Sequence, residues 1–148
     1  MVSAETVETV LKNCLGSFAF INVDHITFVS DHDYTPLTGF EALAMLADAP
    51  DLQPGRYVPQ VYDCEDFAIT ARSLAAIRSR DRELYAPYCL GVVQTRRHTA
   101  NFTVDNDHRV WLLDFYYRKS CFDAYENFLF YDIGTRWLAK RSLELIYI

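Results

Sequence analysis

Cys64 stands where a helix is predicted to begin, which makes it the first candidate for chemistry. Its segment, residues 62–68, is aromatic–Asp–Cys–Glu–Asp–Phe–Ala, with Asp63 as a candidate N-cap. Free amide groups and the helix dipole at such a position stabilise a thiolate, the nucleophilic form of cysteine, and can also bind an oxyanion. The acidic neighbours act in the opposite direction, because negative charge disfavours a thiolate. The alternative is therefore a half-buried cysteine at the start of a capped helix.

His98 and Asp114 supply a histidine and a carboxylate that a hairpin is predicted to bring together. Residues 98–105 and 108–117 have strand character, and a three-residue loop at 105–107 would place His98 opposite Asp114. This register also matches the apolar residues of both strands on one face, which a slip of one residue would reverse. A carboxylate beside a histidine fixes its tautomer and stabilises the imidazolium. The pair is either a base with its orienting group or an ordinary ion pair at a sheet end.

The elements that must position these residues follow an α+β order, with helical segments first and strands later. Proline, turn residues and apolar periodicity predict helices over 3–13 and 39–47, then a long helix after Asp63. The apolar face of that long helix is Phe67, Ala68, Ala71, Leu74 and Ala75. Strands are predicted over 18–29, 89–94, 98–105, 108–117 and 142–148.

Composition indicates one soluble domain spanning residues 1–148. The net charge of −6 argues against a nucleic-acid partner, and the absence of an 18-residue apolar run argues against a membrane-spanning segment. The N-terminus lacks the features of a signal peptide, so we expect a cytoplasmic protein. The four cysteines are widely spaced and form no CxxC pair, so neither a zinc site nor disulfides are expected.

The segment 56–68 resembles the cysteine-containing segment of the papain-like domain of the Marasmius oreades agglutinin family and its small bacterial and phage relatives. His98 to Phe102 and Val110 to Asp114 stand where that family has its histidine strand and its Val-Trp-Leu-acid strand. The resemblance implies a papain-like fold in which a helix N-terminus carrying the nucleophile packs on an antiparallel sheet. It implies no required cofactor, although calcium activation is possible on this ground alone.

Site roles follow from the same resemblance. Cys64 would be the nucleophile, His98 the base and Asp114 the orienting acid, with Gln60 and Glu65 as weaker supporting candidates near the oxyanion. The relatives carry Glu as the orienting acid, followed by Pro-Gln. This chain has the shorter Asp114 followed by Phe115.

These observations predict a cysteine-dependent hydrolase, a peptidase or amidase with a Cys-His-acid triad that acts on a peptide or protein substrate. Acyl transfer is an open variant of the same chemistry. The alternative is a non-catalytic binding or structural accessory protein with a papain-like fold, of the kind found in phages or mobile elements. It would act through an aromatic surface, for which the tyrosines and phenylalanines of residues 116–131 are candidates. A homodimer through this region is also possible.

Overall fold

Three helices precede most of the strands in the part of the chain that the structure describes. The computed structural model describes residues 1–11, 13, 26–28, 31–61, 63–95, 99–115, 120–123, 132–133, 136–137 and 143–148. The helices are α1 (Ala4–Leu11), α2 (Gly39–Leu46) and α3 (Cys64–Asp81), with short 3-10 turns at Pro50–Leu52 and Pro54–Arg56. The strands are β1 (Val2–Ser3), β2 (Ile26–Phe28), β3 (Asp33–Tyr34), β4 (Leu90–Thr95), β5 (Thr99–Val104), β6 (Val110–Asp114), β7 (Ser120–Asp123), β8 (Asp132–Ile133), β9 (Arg136–Trp137) and β10 (Leu143–Tyr147).

The central element is a six-stranded sheet with the order β2-β10-β4-β5-β6-β7. β10 pairs with β2 in parallel, and the other neighbouring strands are antiparallel. The β1–β3 and β8–β9 pairs form two small antiparallel ribbons. Helices together with a mainly antiparallel sheet confirm the predicted α+β class. Of the strand predicted over 18–29, only Ile26–Phe28 falls within the described residues.

The two faces of the sheet are covered by different apolar clusters. The α1-side cluster joins α1 to the sheet and contains Val7, Leu11, Phe102, Val104, Leu112 and Cys89, among others. The α3-side cluster joins α2 and α3 to the sheet and contains Leu46, Phe67, Ala71, Leu113 and Phe115, among others. Leu112 and Leu113 are consecutive residues in different clusters, because successive side chains of a strand point to opposite faces.

The long helix α3 begins where its sequence predicts. Asp63 is the N-cap, and its side chain accepts a hydrogen bond from the Glu65 amide at 3.2 Å. In return the Asp66 carboxylate accepts one from the Asp63 amide at 3.1 Å, which completes a capping box. The predicted apolar face is confirmed, since Phe67 and the alanines of that face are buried and Leu74 packs beside them.

The predicted register of the β5–β6 hairpin is wrong by two residues. Val104 pairs with Val110 and Phe102 with Leu112, so a five-residue connection, 105–109, replaces the predicted three-residue loop. Asp105 causes the difference, because its Oδ1 accepts hydrogen bonds from the amides of Asp107 and Arg109, both at 2.9 Å. The predicted cross-strand partner of Asp114 is thereby shifted, but its face is not, because a shift of two residues preserves side-chain alternation.

Candidate functional site

Cys64 and Asp114 lie at the same small cavity between the start of α3 and the end of β6. Cys64 is the first residue of α3 and is partly buried, whereas Asp114 is only 3% exposed. The cavity measures about 10 Å³, which is room for about one water molecule. Its described lining is Cys64, Phe67, Ala68, Thr99, Ala100, Asn101, Asp114 and Phe115. The sequence therefore identified two residues that the fold brings to one place.

Asn101 fixes the position of α3 over the sheet next to this cavity. Its side chain is buried, and its Nδ2 donates to the Ala68 carbonyl oxygen in α3 at 2.9 Å and to the Gly91 carbonyl oxygen in β4 at 3.0 Å. Both hydrogen bonds connect elements that are distant in sequence. The strand pattern gave no signal for this role, because Asn101 alternates with apolar residues in the same way as Thr99 and Thr103 do.

Of the other predicted site residues, one lies outside the described residues and two do not line the cavity. His98 lies outside the described residues, so its predicted role as the base stays a prediction. Gln60 is exposed and has a positive φ of 62°, which suits the turn position after Pro59. Glu65 accepts a hydrogen bond from the Gln94 side-chain amide at 3.1 Å. Neither Gln60 nor Glu65 belongs to the described lining of the Cys64 cavity.

Cys89 is a second described free cysteine, and its environment differs from that of Cys64. It is fully buried in the α1-side cluster. Burial raises the pKa of its thiol to about 12, only partly opposed by a hydrogen bond with the Val104 backbone. Cys89 is therefore an apolar core residue, as most free cysteines are.

An aromatic pair beside the β5–β6 connection is a feature that the sequence did not reveal. The rings of Phe40 and Trp111 meet edge to face, with 5.4 Å between their centroids, and Phe40 is 64% exposed. The Trp111 indole Nε1 donates to Oδ2 of the buried Asp105 at 2.8 Å, so the ring is held in one orientation. A pocket of about 210 Å³ opens next to Asp105. Its described lining is Pro36, Leu37, Thr38, Glu41, Asp105, Asn106 and Asp107.

A larger groove continues from this pocket toward the end of α3. It measures about 390 Å³ and is lined by Pro36, Leu37, Glu41, Ala44, Met45, Arg82 and Tyr88. This volume is in the range of small-ligand sites, whereas the Cys64 cavity is far below it. Pro36, Leu37 and Glu41 border both the groove and the pocket.

Comparison with solved structures shows that the fold is that of part of a fungal lectin. The chain matches a structure described as a PSL1a–E64 complex with a TM-score of 0.72 and 15% identity, over 99% of this chain and 50% of that one. It also matches Polyporus squamosus lectin bound to the human-type influenza-binding epitope Neu5Acα2-6Galβ1-4GlcNAc, with a TM-score of 0.68 and 14% identity, over 99% of this chain and 49% of that one. The chain thus spans about half the length of these lectin chains. No family model and no curated protein matches the sequence.

These comparisons contradict the predicted cysteine-dependent hydrolase and thiol protease. The two matching structures described above are those of PSL1a and of Polyporus squamosus lectin, and the second is described as bound to a carbohydrate epitope. The prediction failed because it extended a short cysteine motif to a whole reaction, while a fold does not determine a function. The binding alternative fits the comparisons better.

The described residues contain no group of three or more His, Cys, Asp or Glu side chains arranged to hold a metal ion. No helix among them is long and apolar enough to cross a membrane. The calcium dependence, the cytoplasmic location and the homodimer stay predictions.

Proposed function

We propose that this chain is a non-catalytic binding module that recognises a carbohydrate at the pocket beside Phe40 and Trp111. The observation that carries the proposal is the exposed Phe40 ring, which packs on the partly buried and hydrogen-bonded Trp111 ring next to a polar pocket. The scaffold in this proposal is a papain-like domain related to the Marasmius oreades agglutinin family, in which Cys64 and Asp114 occupy the small cavity at the start of α3.

The chemistry of the pocket suits a sugar ring. Sugars present C–H faces, which pack on aromatic rings, and hydroxyl groups, which exchange hydrogen bonds with carboxylates and amides. Phe40 offers an exposed ring, and Asn106 and Asp107 offer exposed amide and carboxylate groups. Because Asp105 already orients Trp111, little side-chain freedom is lost when a ligand binds.

The lectin comparison supports the class of ligand without assigning it. Polyporus squamosus lectin is described as bound to Neu5Acα2-6Galβ1-4GlcNAc, and this chain matches about half of that protein. The neutral disaccharide within that epitope, Galβ1-4GlcNAc, is therefore the first probe to use.

The test is a titration of the isotope-labelled chain with Galβ1-4GlcNAc, followed by amide chemical shifts. We expect shifts confined to α2, the 105–109 connection and β6. Phe40→Ala should weaken binding about fivefold, because an aromatic contact is worth about 1 kcal/mol. Tyr85→Ala is the matched control, since Tyr85 is an exposed aromatic residue (87%) that, unlike Phe40, neither neighbours a lining residue in sequence nor contacts Trp111. Absence of binding, or an equal loss in the two variants, would overturn the proposal.

A further inference from the structure

The groove at the end of α3 contains a cation whose position is fixed by neighbouring groups. Arg82 is the C-cap residue of α3, and its Nη1 donates to the Tyr88 hydroxyl at 2.7 Å. Its guanidinium carbon also lies 5.9 Å from the centroid of the Tyr88 ring. Tyr88 is itself tied to α3, because its amide donates to Ser79 Oγ at 2.9 Å. Arg82 and Tyr88 are therefore held together on the groove wall.

The charge of Arg82 is not balanced in the way that the charges of two other α3 arginines are. Arg78 pairs with Asp48 at 3.5 Å and Arg80 pairs with Asp81 at 2.8 Å. Within the described part of the chain, Arg82 has no carboxylate at ion-pair distance. A guanidinium carries five N–H donors, so the bond to Tyr88 leaves most of them for a ligand, and the Tyr88 hydroxyl can donate its own proton. This wall therefore favours a group that accepts several hydrogen bonds, as a carboxylate does.

A carboxylate of the chain also borders the groove and limits the charge of the ligand. Glu41 lies on the border with the pocket, and its Oε2 accepts hydrogen bonds from the Thr38 amide and hydroxyl, both at 2.8 Å. A carboxylate accepts at both oxygens, so Glu41 can accept a further donor from a ligand. With one cation and one anion in the described lining, the groove suits a singly charged anion better than a phosphate dianion. A ligand that also carries an N–H donor matches Glu41.

The rest of the described groove lining is apolar. Leu37 is buried in the α3-side cluster, and Met45 is partly buried against that cluster. Methionine side chains are flexible and adapt to the shape of what packs on them. The groove thus combines a site for an anion, an acceptor for an N–H group and an apolar surface within about 390 Å³.

We propose that this groove binds the C-terminal residue of a peptide or protein partner. Its carboxylate accepts hydrogen bonds from Arg82 and Tyr88, its apolar side chain packs on Leu37 and Met45, and a backbone N–H of the peptide donates to Glu41. A carboxylate accepts two parallel hydrogen bonds from a guanidinium, which is the preferred geometry for that pair. A fatty acid would satisfy the cation and the apolar surface but would displace water from Glu41 without supplying a donor. The proposal is independent of the sugar pocket.

The test titrates the isotope-labelled chain with the acetylated tripeptide Ala-Ala-Leu, once with a free C-terminal carboxylate and once as its C-terminal amide. We expect the acid to bind about tenfold more tightly than the amide, since charge-assisted hydrogen bonds are about twice as strong as neutral ones. Arg82→Gln should reduce this preference to less than about threefold. Arg80→Gln, which removes the same charge from an arginine outside the described groove lining, should keep the preference.

Two further measurements identify the occupant. Octanoate, an apolar carboxylate without an N–H group, should bind more weakly than the peptide acid, and equal or tighter binding of octanoate would show a fatty-acid site instead. Tyr88→Phe keeps the aromatic ring and removes the hydroxyl, so it should lower the preference for the acid in part. Circular dichroism of each variant checks that a lost preference does not come from a lost fold.

The outcomes also separate this site from the sugar pocket. Absence of peptide binding, equal binding of acid and amide by the wild-type chain, or a preference that survives Arg82→Gln would overturn the proposal. Phe40→Ala, the variant that tests the sugar pocket, should leave peptide binding unchanged. Either proposal can therefore fail while the other stands.

Discussion

At the scale of single residues, the two cysteines with described side chains have opposite environments although both are free thiols. Cys64 lies partly exposed on the first turn of α3, and Cys89 is enclosed by the α1-side cluster. The helix start was predictable from sequence, since Asp63 and Asp66 form a capping box from local residues alone. The full burial of Cys89 depends on how β4 pairs with β10 and β5, which no local pattern contains.

We expect iodoacetamide to label Cys64 at least a hundredfold faster than Cys89 in the native protein near pH 8. Cys89 is 0% exposed and its thiol pKa is raised to about 12, so neither access nor thiolate is available there. The experimental pH lies far below this pKa, and each unit of pKa shift corresponds to about 1.4 kcal/mol against the thiolate. Only a very small fraction of Cys89 therefore ionises at this pH. Peptide-level mass spectrometry resolves the two sites.

Urea provides the control for this labelling experiment. In denaturant both cysteines lose their folded environments and should react at similar rates. Native labelling of Cys89 at the rate of Cys64 would show that the core around β4 opens readily, against the burial seen here. Fast labelling of Cys64 follows from its exposure, so it does not by itself indicate catalysis.

At the scale of elements, local signals set the helices and strands, whereas long-range hydrogen bonds set their relative positions. Periodicity and caps predicted α2, α3 and most of β4 to β6 within a few residues. The β5–β6 register was missed because Asp105 bonds to backbone amides within the loop and lengthens the connection. A shift of two residues leaves the predicted alternation of β6 side chains unchanged, since alternation depends only on whether the shift is odd or even.

The long-range hydrogen bonds of Asn101 determine how α3 docks on the sheet. We expect Asn101→Ala to lower the free energy of unfolding by about 2 to 3 kcal/mol. The reason is that two buried carbonyl groups, Ala68 O and Gly91 O, lose a donor and a small void remains. Urea unfolding followed by circular dichroism measures the change.

Asn106→Ala is the matched control for this substitution. Asn106 is an exposed amide in the connection after β5, so its replacement should change stability by less than about 0.5 kcal/mol. Comparable losses in the two variants would mean that the Asn101 hydrogen bonds do not hold α3. Proton exchange should also show faster opening of α3 amides in Asn101→Ala than in the wild-type chain.

At the scale of the whole molecule, one sheet separates two apolar clusters, and each cluster packs against one of its faces. α1 packs on one face, and α2 and α3 pack on the other. The candidate sites all lie at the ends of these layers: the Cys64 cavity at the end of β6, the sugar pocket at the connection between β5 and β6, and the groove at the end of α3. Neither the pocket nor the groove was predictable from the sequence, because their residues come from three separate segments and carry no motif.

A shared sheet predicts that the chain unfolds as one cooperative unit, which also tests the single domain expected from its length. Leu112 and Leu113 form a matched pair for this purpose. They are consecutive in β6, both are 0% exposed, and they face different clusters. Leu112→Ala and Leu113→Ala should each lower the free energy of unfolding by about 2 to 5 kcal/mol through lost burial and a residual cavity.

The decisive observation is whether each substitution affects the helix on the far side of the sheet. In one cooperative unit, Leu112→Ala lowers the exchange protection of α3 as much as that of the strands. Leu113→Ala likewise lowers the exchange protection of the strand residues on the α1 side. Within each variant, circular dichroism and tryptophan fluorescence should then give the same urea midpoint as each other. Two separated transitions, each moved by only one of the two substitutions, would show that the clusters fold independently. In that case a ligand bound at the pocket would stabilise only the layer that contains α2 and α3, since binding energy reaches only the unit that unfolds with the site.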